Sequence, residues 1–115
     1  MSTVPKRAIE GDILTTSITT GYTVGTALKF VVHRLAFTNY HDAADAVINV
    51  YLVPKDKTAI DDYKVASDKL ILNNKTWNCY ACEGQVLDAG GTIQYQSDTP
   101  VAVTAVCSGV EVTAT

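Results

Sequence analysis

What most limits the fold of this chain is a series of short β-branched and aromatic runs, cut about every ten residues by turn formers. Ala46–Val53 is the clearest of them. Ile48, Val50 and Leu52 share one face there, and Val47, Asn49, Tyr51 and Val53 share the other. Pro54 ends the run because proline has no N–H to give a ladder. Leu28–Asn39 carries Phe30, Val31, Val32, Leu35 and Phe37 on both parities, which predicts a central strand covered on both sides or a bulged one. Further strands are expected at Asp12–Thr20, Lys69–Leu72, Trp77–Cys82 and Val101–Val112, the last with a bulge at Gly109. Gln85–Leu87 and Thr92–Gln96 read as a hairpin around Asp88-Ala89-Gly90-Gly91. Residues 54–66 are the longest irregular stretch, with one helical turn near Ile60, Tyr63 and Lys64. About seven or eight such strands predict an all-β chain, a single antiparallel β-sandwich, Ig-like or jelly-roll-like.

Residues 1–11 hold Pro5, Lys6, Arg7 and Gly11 but little to bury, and read as a short N-terminal arm. Residues 12–115 are then the β-sandwich domain, and a length of 115 residues fits one domain. The chain is 47% hydrophobic and 18% charged, which excludes a disordered charged tail. A net charge of −3 argues against a nucleic-acid partner held by counterion release. No apolar run reaches the roughly 18 residues of a membrane-spanning helix, so no membrane partner is expected. Lys6 and Arg7 are not followed by an apolar stretch, so the N-terminus does not read as a signal peptide.

Catalytic chemistry finds little support. Cys79-Tyr80-Ala81-Cys82 has the two-cysteine spacing of zinc and redox sites. On a strand, however, positions three apart face opposite sides, and the expectation is two diverging strand cysteines. With Cys107 they read as small buried thiols of a reducing cytoplasm. His33 reads as a sheet residue and His41 as a turn residue, neither with a nucleophile and an acid beside it. Asp42, Asp45, Asp56, Asp61, Asp62 and Asp68 interleave with lysines, as a solvated mixed-charge surface does, without calcium-loop spacing. Trp77, Tyr80 and Tyr95 could build a sugar-stacking platform, though such rings more often anchor cores or interfaces. No catalytic, cofactor-binding or metal-binding residue is expected.

Five fragments in order carry a resemblance. They are Gly21-Tyr22-Thr23-Val24-Gly25-Thr26, then Phe37-Thr38-Asn39-Tyr40, then Val47–Pro54, then Gln85–Ile93, then Cys107-Ser108-Gly109-Val110-Glu111-Val112. Together, across about residues 14–113, they resemble the small sandwich-like virion structural proteins of tailed bacteriophages. That resemblance implies a non-enzymatic capsid decoration or cement protein, located in the virion after assembly in the host cytoplasm. Its partner would be the major capsid protein or other virion proteins, and its state a homo-oligomer, with a trimer favoured. A neck or tail collar, adaptor or fibre-base protein is the alternative, and a carbohydrate-binding module for host-surface glycans a more distant one. In the decoration role the candidate interface residues are Lys6, Arg7 and Ile9 of the arm and Lys55, Lys57 and Tyr63 of the 54–66 loop.

Overall fold

The two runs with the plainest apolar patterns form strands at the expected bounds, Leu28–Asn39 and Ala46–Val53. The computed structural model describes residues 3–113. In chain order its strands are β1 Thr3–Ile13, β2 Thr19–Thr23, β3 Leu28–Asn39, β4 Ala46–Val53, β5 Lys64–Ile71, β6 Thr76–Asn78, β7 Val86–Leu87, β8 Thr92–Ser97 and β9 Val103–Thr113. Single 3₁₀ turns lie at Asp61–Tyr63, inside the stretch expected to hold a helical turn, and at Tyr80–Cys82.

The pairing is nested. β1 pairs with β9, β2 with β8, β3 with β6 and β7, and β4 with β5, all antiparallel. Contacts of β3 with β9 and of β4 with β8 then join these pairs into two sheets. One is five-stranded, β1-β9-β3-β6 with β7 also on β3, and the other is four-stranded, β2-β8-β4-β5. Packed face to face they make the all-β sandwich that the pattern predicts, in jelly-roll strand order.

β3 explains its own mixed parity. Phe30 and Val32 point inward, a register shift follows between Val32 and Arg34, and Leu35 and Phe37 then point inward. The bulge thus swaps the buried parity within one strand.

Several expectations change; the strand expected at Asp12–Thr20 is split, its ends belonging to β1 and β2 and residues 14–18 lying outside any strand. Residues 3–11, read as an arm, belong to edge strand β1, where Thr3–Lys6 pair with Gly109–Val112 and Ile9 joins the core at 3% exposure. Backbone pairing along β9 supplies what this segment lacks in apolar content; Met1 and Ser2 lie outside the described residues. The expected hairpin at residues 85–96 is a crossover instead. β7 belongs to one sheet and β8 to the other, so the Asp88–Gly91 turn bridges the sandwich.

Between the sheets, Phe30, Val32, Leu35 and Phe37 meet Ile48, Val50, Ile93 and Tyr95, all at 0% exposure. Phe37 meets Tyr95 edge-on at 5.8 Å between centroids, a favoured aromatic geometry. The Tyr95 hydroxyl crosses the layer and donates to Asp12 Oδ2 at 2.7 Å. Gly21, read as a turn glycine, lies in β2 where any Cβ would fall on that phenol. Asn39 is the chief buried polar side chain. It donates to the carbonyls of Ala44 and Ile71 at 3.0 and 2.9 Å and accepts from His41 N–H at 3.0 Å, so its burial is compensated.

Candidate interaction face

The outer faces of the two sheets differ in chemistry. On the four-stranded sheet, Asn49 stands opposite Gln96, and Tyr51 opposite Gln94 and Lys64. These groups hydrogen-bond locally: Gln94 Nε2 donates to Thr92 Oγ1 at 2.9 Å, and Asn49 Oδ1 accepts from Asp68 N–H at 2.9 Å. This face is mostly polar, though Val47 stands opposite Leu70, which is 51% exposed, and Tyr51 is largely covered.

The five-stranded sheet presents short apolar side chains to the outside. One row across it reads Pro5, Val110, Val31 and Val86, and a second reads Val106, Ala36 and Asn78. A third holds Ile13, Thr104, Thr38 and Thr76, whose last two hydroxyls hydrogen-bond at 2.9 Å. Ile13 is 49% exposed and Val86 55%, while Val31, Val106 and Val110 are half-buried. A sheet face with one side in water normally alternates to polar residues there. This one does not.

A polar band separates the first two rows. Ser108 of β9 lies between a register shift in β1, from Lys6 to Ile9, and the shift in β3, from Val32 to Arg34. Each shift puts two residues opposite one, so Arg7 on one side and His33 and Arg34 on the other stand exposed around an exposed Ser108. Pro5, Lys6, Arg7, His33, Ser108 and Gly109 line a shallow depression of about 390 Å³ there. Gly109 is required by close approach: a Cβ would run into the Val31 carbonyl and the Phe30 ring.

The residues from β6 to β7 extend the irregularity. β6 ends at Asn78, and the 3₁₀ turn Tyr80–Cys82 brings Cys79 and Cys82 together as a disulfide, with both residues fully buried. The diverging strand cysteines expected from the spacing are therefore corrected; the chain leaves strand geometry one residue before the pair. The loop clips onto β3 around its bulge, with Cys79 N–H donating to Leu35 O at 2.8 Å and Gly84 N–H to Val32 O at 2.7 Å. Cys107 is a free, buried thiol, and burial pushes its pKa up to about 12.

Of the six residues expected at an interface, Arg7 lies on this face and Lys6 at its rim, where both line the depression. Ile9 is in the core and unavailable to a partner. Lys6 is half-buried at the rim, 3.6 Å from Glu111 and 5.8 Å from the Tyr22 ring centroid. Tyr22 donates to Glu111 at 3.2 Å, and burial followed by the Glu111 charge pushes its pKa up to about 12. Lys55 and Lys57 are exposed beyond β4, and Tyr63 is half-buried in the first 3₁₀ turn. Val31, Val106, Val110, His33, Arg34 and Ser108 were not among the expected residues, because only the strand register reveals that they share a surface.

Other chemistry stays dispersed. Among the described residues no three His, Cys, Asp or Glu side chains converge as a metal site requires. His41 Nδ1 accepts the backbone N–H groups of Ala43 and Ala44 at 3.0 Å each, a turn-capping role. Asp45 and Asp98 likewise accept backbone N–H groups, of Asn73 at 3.0 Å and Val47 at 2.8 Å. The three rings considered for sugar stacking form no platform. Tyr95 is buried, Trp77 stacks on Phe37 and is capped by Lys69 at 5.1 Å, and only Tyr80 is exposed. Comparison with known proteins finds no matching family model, curated protein or solved structure.

Proposed function

We propose that this protein is a non-enzymatic structural protein of a bacteriophage virion, a decoration or cement protein that binds the major capsid protein through the outer face of its five-stranded sheet. The observation that carries this is the apolar face itself, with Val31, Val106 and Val110 placed where a freely solvated sheet would carry polar groups. The ordered sequence fragments lend support. The jelly-roll order agrees, as a fold that many viral shell proteins use and that by itself assigns no function. In this role the chain assembles as a trimer, which mass determination in solution checks, and repeated copies on a symmetric shell add weak contacts by multivalency.

The test is co-sedimentation of the purified protein with undecorated heads. Wild type is expected to bind, Val31→Lys/Val110→Lys to lose binding, and Gln94→Lys on the opposite sheet to keep it. No binding by wild type, or equal binding by the valine variant, overturns the proposal. Copy number per particle separates the two virion locations, since hundreds of copies place the protein on the head and a ring's worth places it at the neck or tail.

A further inference from the structure

We infer that the band of Arg7, His33, Arg34 and Ser108 is a docking site for carboxylates presented on an acidic protein surface. The inference deepens the reading of this face as a docking surface and rests on it. Three observations converge. First, the two bulges flank the same β9 residue from opposite sides, so Arg7, His33 and Ser108 line one shallow depression, with Arg34 directly opposite Ser108 in the ladder. Secondly, these bases have no counter-charge of their own. Among the described residues the ion pairs are Lys6–Glu111, Lys29–Asp88 and Lys64–Asp61, and neither Glu10 on β1 nor Glu83 beside the disulfide turn pairs with Arg7, His33 or Arg34. In a chain of net charge −3 such a band is a local reversal of sign.

Thirdly, the apolar rows on either side of the band decide the kind of partner. Protein interfaces combine an apolar patch with arginines, whose planar forks hold carboxylates bidentately, whereas a nucleic-acid surface is marked by an extended basic stripe on a basic domain, and this chain has a net charge of −3. The complementary surface is therefore apolar and crossed by aspartates or glutamates. A second copy in the same orientation is disfavoured, because it would oppose arginine to arginine.

The experiment titrates the ¹⁵N-labelled full chain with poly-L-glutamate and, separately, with oligothymidylate. Saturable amide shifts are expected at Arg7, His33, Arg34, Ser108 and Gly109, with affinity falling about tenfold in Arg7→Gln/Arg34→Gln, as losing charge-assisted bonds to carboxylates implies. Both arginines are exposed, so an unchanged far-ultraviolet spectrum and melting midpoint confirm that the variant is folded. Absent shifts, shifts elsewhere, or undiminished affinity in the variant overturn the inference, as does equal or tighter oligothymidylate binding at the band. Head binding separates the two readings. Heads that bind wild type and the Gln variant alike overturn the carboxylate site and leave the virion role standing. Glutamate binding at the band without any head binding does the reverse.

Discussion

Tyr95 ties the two sheets together through a single hydroxyl, and its neighbours are arranged around that bond. Tyr95→Phe leaves the Asp12 carboxylate without its 2.7 Å donor, and a loss of about 1–3 kcal/mol is expected in urea unfolding. Gly109→Ala places a methyl against the Val31 carbonyl and the Phe30 ring, with an expected cost of about 1–3 kcal/mol or more from overpacking. The tyrosines also set an alkaline limit. The hydroxyls of Tyr22 and Tyr95 both have folded pKa values raised above the ordinary value of 10.0, by burial first and by Glu111 and Asp12 next. The unfolded chain therefore releases these protons first as the pH rises. Their stabilising effect is complete below about pH 10 and disappears as the pH climbs towards 12 and beyond, which stability measured against pH checks. Phenolate absorbance should show Tyr22 and Tyr95 ionising after the exposed tyrosines. None of this was legible residue by residue. Gly21 and Gly109 look like turn and bulge glycines in the sequence, and only the fold shows which ring or carbonyl occupies the space of the missing Cβ.

The strand elements divide sharply between those the sequence announces and those it hides. β3 and β4 were legible because their apolar runs are long and end at turn residues, Asn39 and Pro54. β1 was not, because Val4, Ala8 and Ile9 are too sparse to signal a strand, and its backbone is held by β9 from the far end of the chain. That long edge carries its own protection in Pro5, two register shifts and Gly11 at a φ of 130°. The cysteine turn is hidden for a related reason, since β6 ends at Asn78 and strand parity has no meaning for the pair beyond it. Its disulfide closes a loop of sequence separation 3, so loop-closure entropy stabilises the fold by only roughly 2 kcal/mol. Reduction is expected to leave the sandwich folded, lower its stability by about that amount, and speed hydrogen exchange at Cys79 and Gly84, which bond to β3. Cys107 should stay unreactive towards a thiol reagent at pH 8 until the chain is unfolded, because its thiol is buried and its pKa lies at about 12.

At the scale of the molecule, core and outer face obey separate requirements, and substitutions can tell them apart. Val31→Thr/Val110→Thr changes residues outside the sandwich layer, so stability is expected to move by no more than about 0.5 kcal/mol while binding through the face falls. Val32→Thr, one position from Val31 but fully buried, should instead destabilise by about 1–3 kcal/mol, because its hydroxyl would be buried without a partner. Chemical denaturation of the two variants checks both. The two-sheet class was legible from strand count and alternation, but the nested pairing was not, since no local signal says which distant strands meet. The basic band was hidden for the same reason. Its residues come from three separate strands, and one extra residue in each of two strands decides that they share a side. The bulges in β1 and β3 and the detour after β6 also fall on one line across the sheet, at the level of Ser108. Regular ladder bonding is interrupted along that line in β1 and β3, and a bulge bends its strand and raises the local twist. The outer face is therefore creased and twisted along its middle, and any surface that matches it must follow that crease.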